Sequence, residues 1–185
     1  MSLQRSLRSL LRRLPFVPRR RRYRISWLTT QLAVSRAPNP RDWRVIRAAG
    51  IAAVVDLRAE AEEVSSLAHA GGLEYLRLPI EEHTAPTEAE LQGVANWICE
   101  RLAAGRPVLV HCRAGLGRSP LVACAALVRH GLSLEAASAM LKQGRPQAHL
   151  TEAQDALLTT FALHHSRAGV EPHSLTTREG AAGDS

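Results

Sequence analysis

Between Val108 and Ser119 the chain reads Val-Leu-Val-His-Cys-Arg-Ala-Gly-Leu-Gly-Arg-Ser. Residues 107–111 are apolar and strand-like, and an apolar helical pattern starts at Ser119. A strand-to-helix junction is where α/β proteins bind ligands, outside the carboxyl ends of their strands. The helix start offers unpaired N–H groups and a partial positive charge, which suit an anion. Gly115 and Gly117 allow the backbone of Arg113, Ala114, Gly115, Leu116, Gly117 and Arg118 to curl around that anion. Cys112 lies at the base of the curl, where its thiol pKa should fall and leave a nucleophilic thiolate. Arg118, six residues after Cys112, carries a planar fork that can grip two phosphoryl oxygens and the transition-state charge they bear. Ser119 can donate to the sulfur and ease its departure. His111 is expected to hold loop geometry through its ring nitrogens.

The flanking elements follow from hydrophobic period and caps. Residues 41–49 read as a helix after the turn at Pro38-Asn39-Pro40, and residues 51–57 and 73–80 as strands. Residues 87–104 form a helix with Thr87 and Glu90 as a capping box. Helices are also expected over 119–130, over 133–143 and from Thr151, where Thr151 and Gln154 make a second box. Strands alternating with helices give an α/β class with a central, mostly parallel sheet flanked by helices. The expected organisation is an arm at 1–24, one domain at 25–165, and a polar, Gly-rich, disordered tail from 166.

The segment His-Cys-x-x-Gly-x-x-Arg-Ser matches all five fixed positions of the signature of the cysteine-based protein tyrosine phosphatases. Residues 25–165 resemble a compact dual-specificity phosphatase domain of that superfamily. The resemblance implies a general acid about thirty residues before the cysteine, after a strand ending Pro-Ile-x-Asp. Here that stretch is Leu78-Pro79-Ile80-Glu81-Glu82, so Glu82 fills the acid position where the family has Asp. Glu81 and His83 are the fallback acids, and a pair of solvated loop charges is the plain alternative. Arg145-Pro146 resembles a structural Arg-Pro pair of the family, and Asp56 reads as structural. Cys99 and Cys124 read as packed thiols.

The resemblance implies hydrolysis of phosphotyrosine or phosphoserine/threonine in proteins through a phosphocysteine, with no metal and no cofactor. Arg113 would add positive charge at the pocket floor, as in phosphoinositide and phosphatidylglycerophosphate phosphatases of the superfamily. It would otherwise face solvent, tied to a nearby acid. A phospholipid substrate is therefore a second reading, and a weakly active or inactive phosphate-binding module a third.

Net charge is +7, but nine of the 24 basic residues lie in 1–24, which hold no acid. The rest of the chain is slightly acidic, which argues against a nucleic-acid-binding body. Leu3, Leu7, Leu10, Leu11 and Leu14 recur at helical spacing among the arginines, a pattern suited to an amphipathic helix on an anionic membrane surface, with a disordered, solvated arm as the plain alternative. The same stretch resembles a mitochondrial presequence, although a cytoplasmic protein, peripheral at a membrane, is the leading expectation. No stretch approaches the roughly 18 apolar residues of a membrane span. Three cysteines form neither a disulfide framework nor a zinc pattern. Aromatics are only 4%, so Ala, Leu and Val must fill the core.

Overall fold

A computed structural model describes residues 22–61 and 72–165. Residues 1–21 of the expected arm and the tail from 166 lie outside the described residues, whereas Tyr23, placed in the arm by the sequence reading, is buried in the core and its hydroxyl lies 2.7 Å from Ser35 Oγ. The elements in chain order are β1 (Ser26–Trp27), β2 (Leu32–Arg36), α1 (Trp43–Ala48), β3 (Ala53–Arg58), β4 (Glu74–Ile80), α2 (Glu88–Ala103), β5 (Val108–Cys112), α3 (Arg118–Arg129), α4 (Leu134–Gly144) and α5 (Glu152–His165). They build an α/β fold around a five-stranded sheet of order β1-β2-β5-β3-β4. All neighbours are parallel except β1 and β2.

β5 sits in the middle of the sheet, and all five of its residues are buried. A strand covered on both faces needs apolar side chains in both phases, which explains the unbroken Val-Leu-Val run. Val108, Val110 and Cys112 face the larger core, with Val34, Val55 and Leu57. Leu109 packs on the other side with Ala33, Val54, Trp43 and Ile46, under α1. This alternation sends Cys112 toward the multi-helix side of the sheet.

α3 is buried along nearly its whole length. It packs against α2, α4 and α5, and the small residues Ala123, Cys124, Ala125 and Ala126 allow those helices to come close. Pro120 is tolerated in its first turn, where the amide would lack a helical partner anyway. α2 begins as its sequence demands. Thr87 Oγ1 accepts from the Glu90 N–H, and the Glu90 carboxylate accepts from the Thr87 N–H at 2.8 Å, a cap worth about 1 kcal/mol. The box at Thr151 and Gln154 closes the same way before α5. Among the described residues, no helix is long and apolar enough to cross a membrane.

Candidate active site

β5 delivers Cys112 to the carboxyl edge of the sheet, residues 113–117 turn, and α3 starts at Arg118. The turn is pinned at its tightest point by Gly115, whose φ is +73°. A Cβ there would stand 2.7 Å from Arg145 Nη2 and closer still to the Ser35 carbonyl, so glycine is required for space as well as for conformation. Arg145 braces the turn from outside. Its Nε donates to the Gly115 carbonyl at 2.5 Å and its Nη2 to the Ala114 carbonyl at 2.9 Å. Those bonds draw the loop carbonyls outward and leave amides for the inside.

The Cys112 sulfur accepts from the Gly115 N–H at 3.2 Å and lies 3.4 Å from Ser119 Oγ. Burial pushes the thiol pKa up, but the hydroxyl and N–H of Ser119, the Gly115 N–H and the Arg118 charge outweigh it and hold the pKa below the ordinary thiol value. A pocket of about 110 Å³ opens at the sulfur, lined by Ala114, Leu116, Gly117 and Arg118 of the loop and by Glu82, His83, His149, Thr151 and Gln154. The arrangement places a nucleophile, donors, a cation and a carboxylic acid around one phosphate-sized space.

The family model for the DSP-PTPase phosphatase of polymorphic toxin systems matches residues 31–132, more than half of the chain. The chain belongs to this family. It superposes on Tk-PTP in its active form with a TM-score of 0.69 at 34% identity, over 75% of this chain and 96% of that one. PTPMT1 in complex with PI(5)P shares the fold, at 22% identity and a TM-score of 0.69, over 76% of this chain and 95% of that one. The phosphatidylglycerophosphate phosphatase PTPMT2 of Arabidopsis thaliana is 27% identical over 135 residues, which cover 71% of this chain and 59% of that protein. The dual specificity protein phosphatase Mpk3 of Drosophila melanogaster is 38% identical over 78 residues, 41% of this chain and 19% of its own length. The chain thus spans less than two thirds of the length of both of these relatives.

Two positions differ from the leading sequence reading. Arg113 does not reach the pocket floor. Its guanidinium, 67% exposed, pairs instead with Glu82 at 3.0 Å, and Arg113 is not among the residues that line the pocket. His111 does not hold the loop through its ring nitrogens, which have no hydrogen-bond partner among the described residues. The nearest carboxylate, Asp56, is 3.6 Å away, and its oxygens accept from Arg58 and from the Tyr75 hydroxyl. Burial drives the His111 pKa down to about 4, so the ring is neutral and acts by packing. Arg145 has the structural role that its Arg-Pro pair implied, and it plays it by binding the Gly115 and Ala114 carbonyls directly.

Glu60 is the site residue that sequence reasoning missed. Its two oxygens accept from Arg118 Nη1 at 2.7 Å and Nη2 at 3.0 Å, while Nη1 also donates to the Ile80 carbonyl at 2.7 Å. The Arg118 bond holds the Glu60 pKa down. Gln154 was legible as a helix cap but does more, because its buried amide donates to the Thr84 carbonyl at 2.7 Å and ties the Glu82 segment to α5. Of the fallback acids, His83 lines the pocket, with φ at +67°. Glu81 is not among the pocket residues, and its carbonyl closes a turn with Thr84. Cys99 and Cys124 are free thiols away from the pocket, pushed up by burial to about 11 and about 12.

Proposed function

We propose that the chain hydrolyses phosphomonoesters of proteins, phosphotyrosine and phosphoserine/threonine alike, through a phosphocysteine intermediate. The observation that carries this reading is the low-pKa Cys112 sulfur between the Gly115 N–H and the Ser119 hydroxyl, beneath Arg118. In the first step the Cys112 thiolate attacks phosphorus, the bond to the leaving oxygen breaks, and Glu82 gives that oxygen its proton. In the second step water attacks phosphorus, Glu82 takes the water proton, and the P–S bond breaks to release phosphate and restore the thiolate. Arg118 and the loop amides carry the equatorial charge in both steps. Ser119 stabilises the departing sulfur.

The small pocket of about 110 Å³, with Ala114, Leu116 and Gly117 in its lining, supports dual specificity, because a cavity of that size does not need a long aromatic side chain to fill it. A second reading, a phospholipid monoester, is favoured by the match to a phosphatidylglycerophosphate phosphatase. The experiment is one panel of phosphotyrosine peptide, phosphothreonine peptide and a phosphatidylglycerophosphate dispersion under identical conditions. The first reading expects kcat/KM highest on the peptides. A preference of more than about tenfold for the lipid replaces it with the second. Stoichiometric binding without turnover of any of the three would make the protein a phosphate-binding module.

A further inference from the structure

The carboxyl end of β2 lies against the phosphate loop. In the β2–β5 register Ser35 stands beside His111, and Arg36 beside Cys112. The pairing continues one step into the loop, where the Ala37 N–H donates to the Arg113 carbonyl at 3.1 Å. The Ser35 carbonyl is also the group that a Cβ at Gly115 would strike first. The backbone at Ser35 therefore sets how far the loop can fold back, and whatever holds Ser35 bears on the loop.

Ser35 is fully buried. Its hydroxyl is the nearer of two to the Arg36 carbonyl, at 2.9 Å against 3.3 Å for that of Tyr23. A serine hydroxyl has one proton to give. With that proton on the Arg36 carbonyl, the Tyr23 hydroxyl is the donor to Ser35 Oγ, at 2.7 Å. Burial pushes the Tyr23 pKa up to about 12, so the proton stays in place at neutral pH. Tyr23 is itself tied to the site. Three residues on, Ser26 Oγ accepts from Arg145 Nη1 at 3.1 Å, and Arg145 binds the Gly115 and Ala114 carbonyls. The segment from Tyr23 to Ser26 thus backs both supports of the loop, Ser35 and Arg145.

We propose that Tyr23 is a positioning residue for the reaction at Cys112: its hydroxyl locks the carboxyl end of β2, and that end holds the Gly115 N–H against the Cys112 sulfur. The inference rests on the phosphatase reading, in which that sulfur attacks phosphorus. The route runs through three contacts, from Tyr23 to Ser35, from the Ser35 carbonyl to Gly115, and from the Gly115 N–H to the sulfur at 3.2 Å. Tyr23 touches neither the pocket nor the substrate. Burial raises the Cys112 thiol pKa, and the Gly115 N–H is one of the groups that outweigh it. A loop no longer held by β2 should therefore lose part of that depression.

The test uses the full chain with Tyr23→Phe, which removes the hydroxyl and keeps the ring. Ser35→Ala removes the acceptor and keeps the tyrosine. Ile46→Val is the control, a cut in the same core cluster made from α1. Iodoacetamide labelling of Cys112 is followed across a pH series by peptide mass, beside vanadate inhibition, kcat/KM on an aryl phosphate and the melting temperature. Tyr23→Phe and Ser35→Ala should each move the labelling midpoint up by about 0.3 pH unit or more. They should weaken vanadate inhibition and lower kcat/KM by about two- to tenfold, the share of one neutral hydrogen bond. Ile46→Val should lower the melting temperature alone. An unmoved midpoint in either variant would overturn the proposal, whatever happens to stability, and so would an equal shift in Ile46→Val. Labelling is read without turnover, so these outcomes are separate from failure of the phosphatase reading, which would appear as no aryl phosphate hydrolysis by the unaltered chain.

Discussion

Glu60 grips the guanidinium of Arg118 with both carboxylate oxygens, at 2.7 and 3.0 Å. The Arg118 side chain is 3% exposed, so the pair sets the direction in which the fork faces the pocket. Burial works against the Arg118 charge, and the Glu60 bond together with the charges of Cys112, Glu60 and Glu82 outweighs it and raises the pKa. Glu60 is therefore a positioning residue for the clamp. Glu60→Ala should lower kcat/KM on an aryl phosphate by about ten- to a hundredfold, the value of one charge-assisted pair, and weaken vanadate inhibition in parallel. Glu60→Asp should recover part of both. Unchanged vanadate affinity in Glu60→Ala would remove Glu60 from this role.

The three thiols should separate by reactivity. Cys112 is held below the ordinary thiol pKa, while Cys99 and Cys124 are pushed to about 11 and about 12. Iodoacetamide at pH 6 should therefore label Cys112 selectively, read by peptide mass, and vanadate should protect it. Ser119→Ala removes a bond that lowers the pKa, so the labelling profile should move to higher pH. A depressed folded-state pKa also has a stability sign. The contribution is fully present above the unfolded thiol value of about 8.5, and it is lost as pH falls through the lowered folded value. Labelling of Cys99 ahead of Cys112 would contradict this account.

Glu82→Gln should cut kcat by about a hundredfold or more, the usual share of a general acid, with KM little altered. An unchanged kcat would leave the acid role to another group, with His83 next in line at the pocket. Arg113→Ala breaks the pair with Glu82, but both side chains are substantially exposed. Its effect on unfolding free energy should stay within about 1 kcal/mol, measured by urea titration.

Gly115→Ala meets two obstacles at once. The φ of +73° is unfavourable for any residue with a Cβ, at about 1–2 kcal/mol, and the new methyl group runs into the Ser35 carbonyl. The variant should melt several degrees lower, about 4 °C or more for each 1 kcal/mol in a domain near 100 residues and less in a larger one. It should also lose phosphate affinity, because the loop can relieve the clash only by opening. Retention of both properties would show that the loop is not held as tightly as Ser35 and Arg145 imply.

The fold and the loop were legible because their signals are local. The Val-Leu-Val run, the boxes at Thr87 and Thr151, and the contiguous stretch from His111 to Ser119 each specify structure over a few residues. The antiparallel edge escaped, since β1 has only two residues and β2 follows a polar turn at Thr29-Thr30-Gln31. Glu60 escaped because its partner is 58 residues away, and nothing in the local sequence around it announces a partner. Arg113 was placed at the floor by adjacency to Cys112, with a solvent-facing side chain tied to an acid as the alternative; the alternative holds, because β5 ends at Cys112 and the exposed guanidinium pairs with Glu82, 31 residues away. His111 was assigned bonds that its position denies. Asp56 sits beside it in the β3–β5 register, but Arg58 and Tyr75 already occupy that carboxylate.

The central claim is that Cys112 carries the phosphoryl group during turnover. Acid quenching of the reaction with p-nitrophenyl phosphate, followed by peptide mass analysis, tests it directly. The account predicts one phosphoryl group on the Cys112 peptide of the unaltered chain, and neither adduct nor turnover in Cys112→Ser. Hydrolysis that persists in Cys112→Ser, or a phosphoryl group found on any other residue, would contradict it.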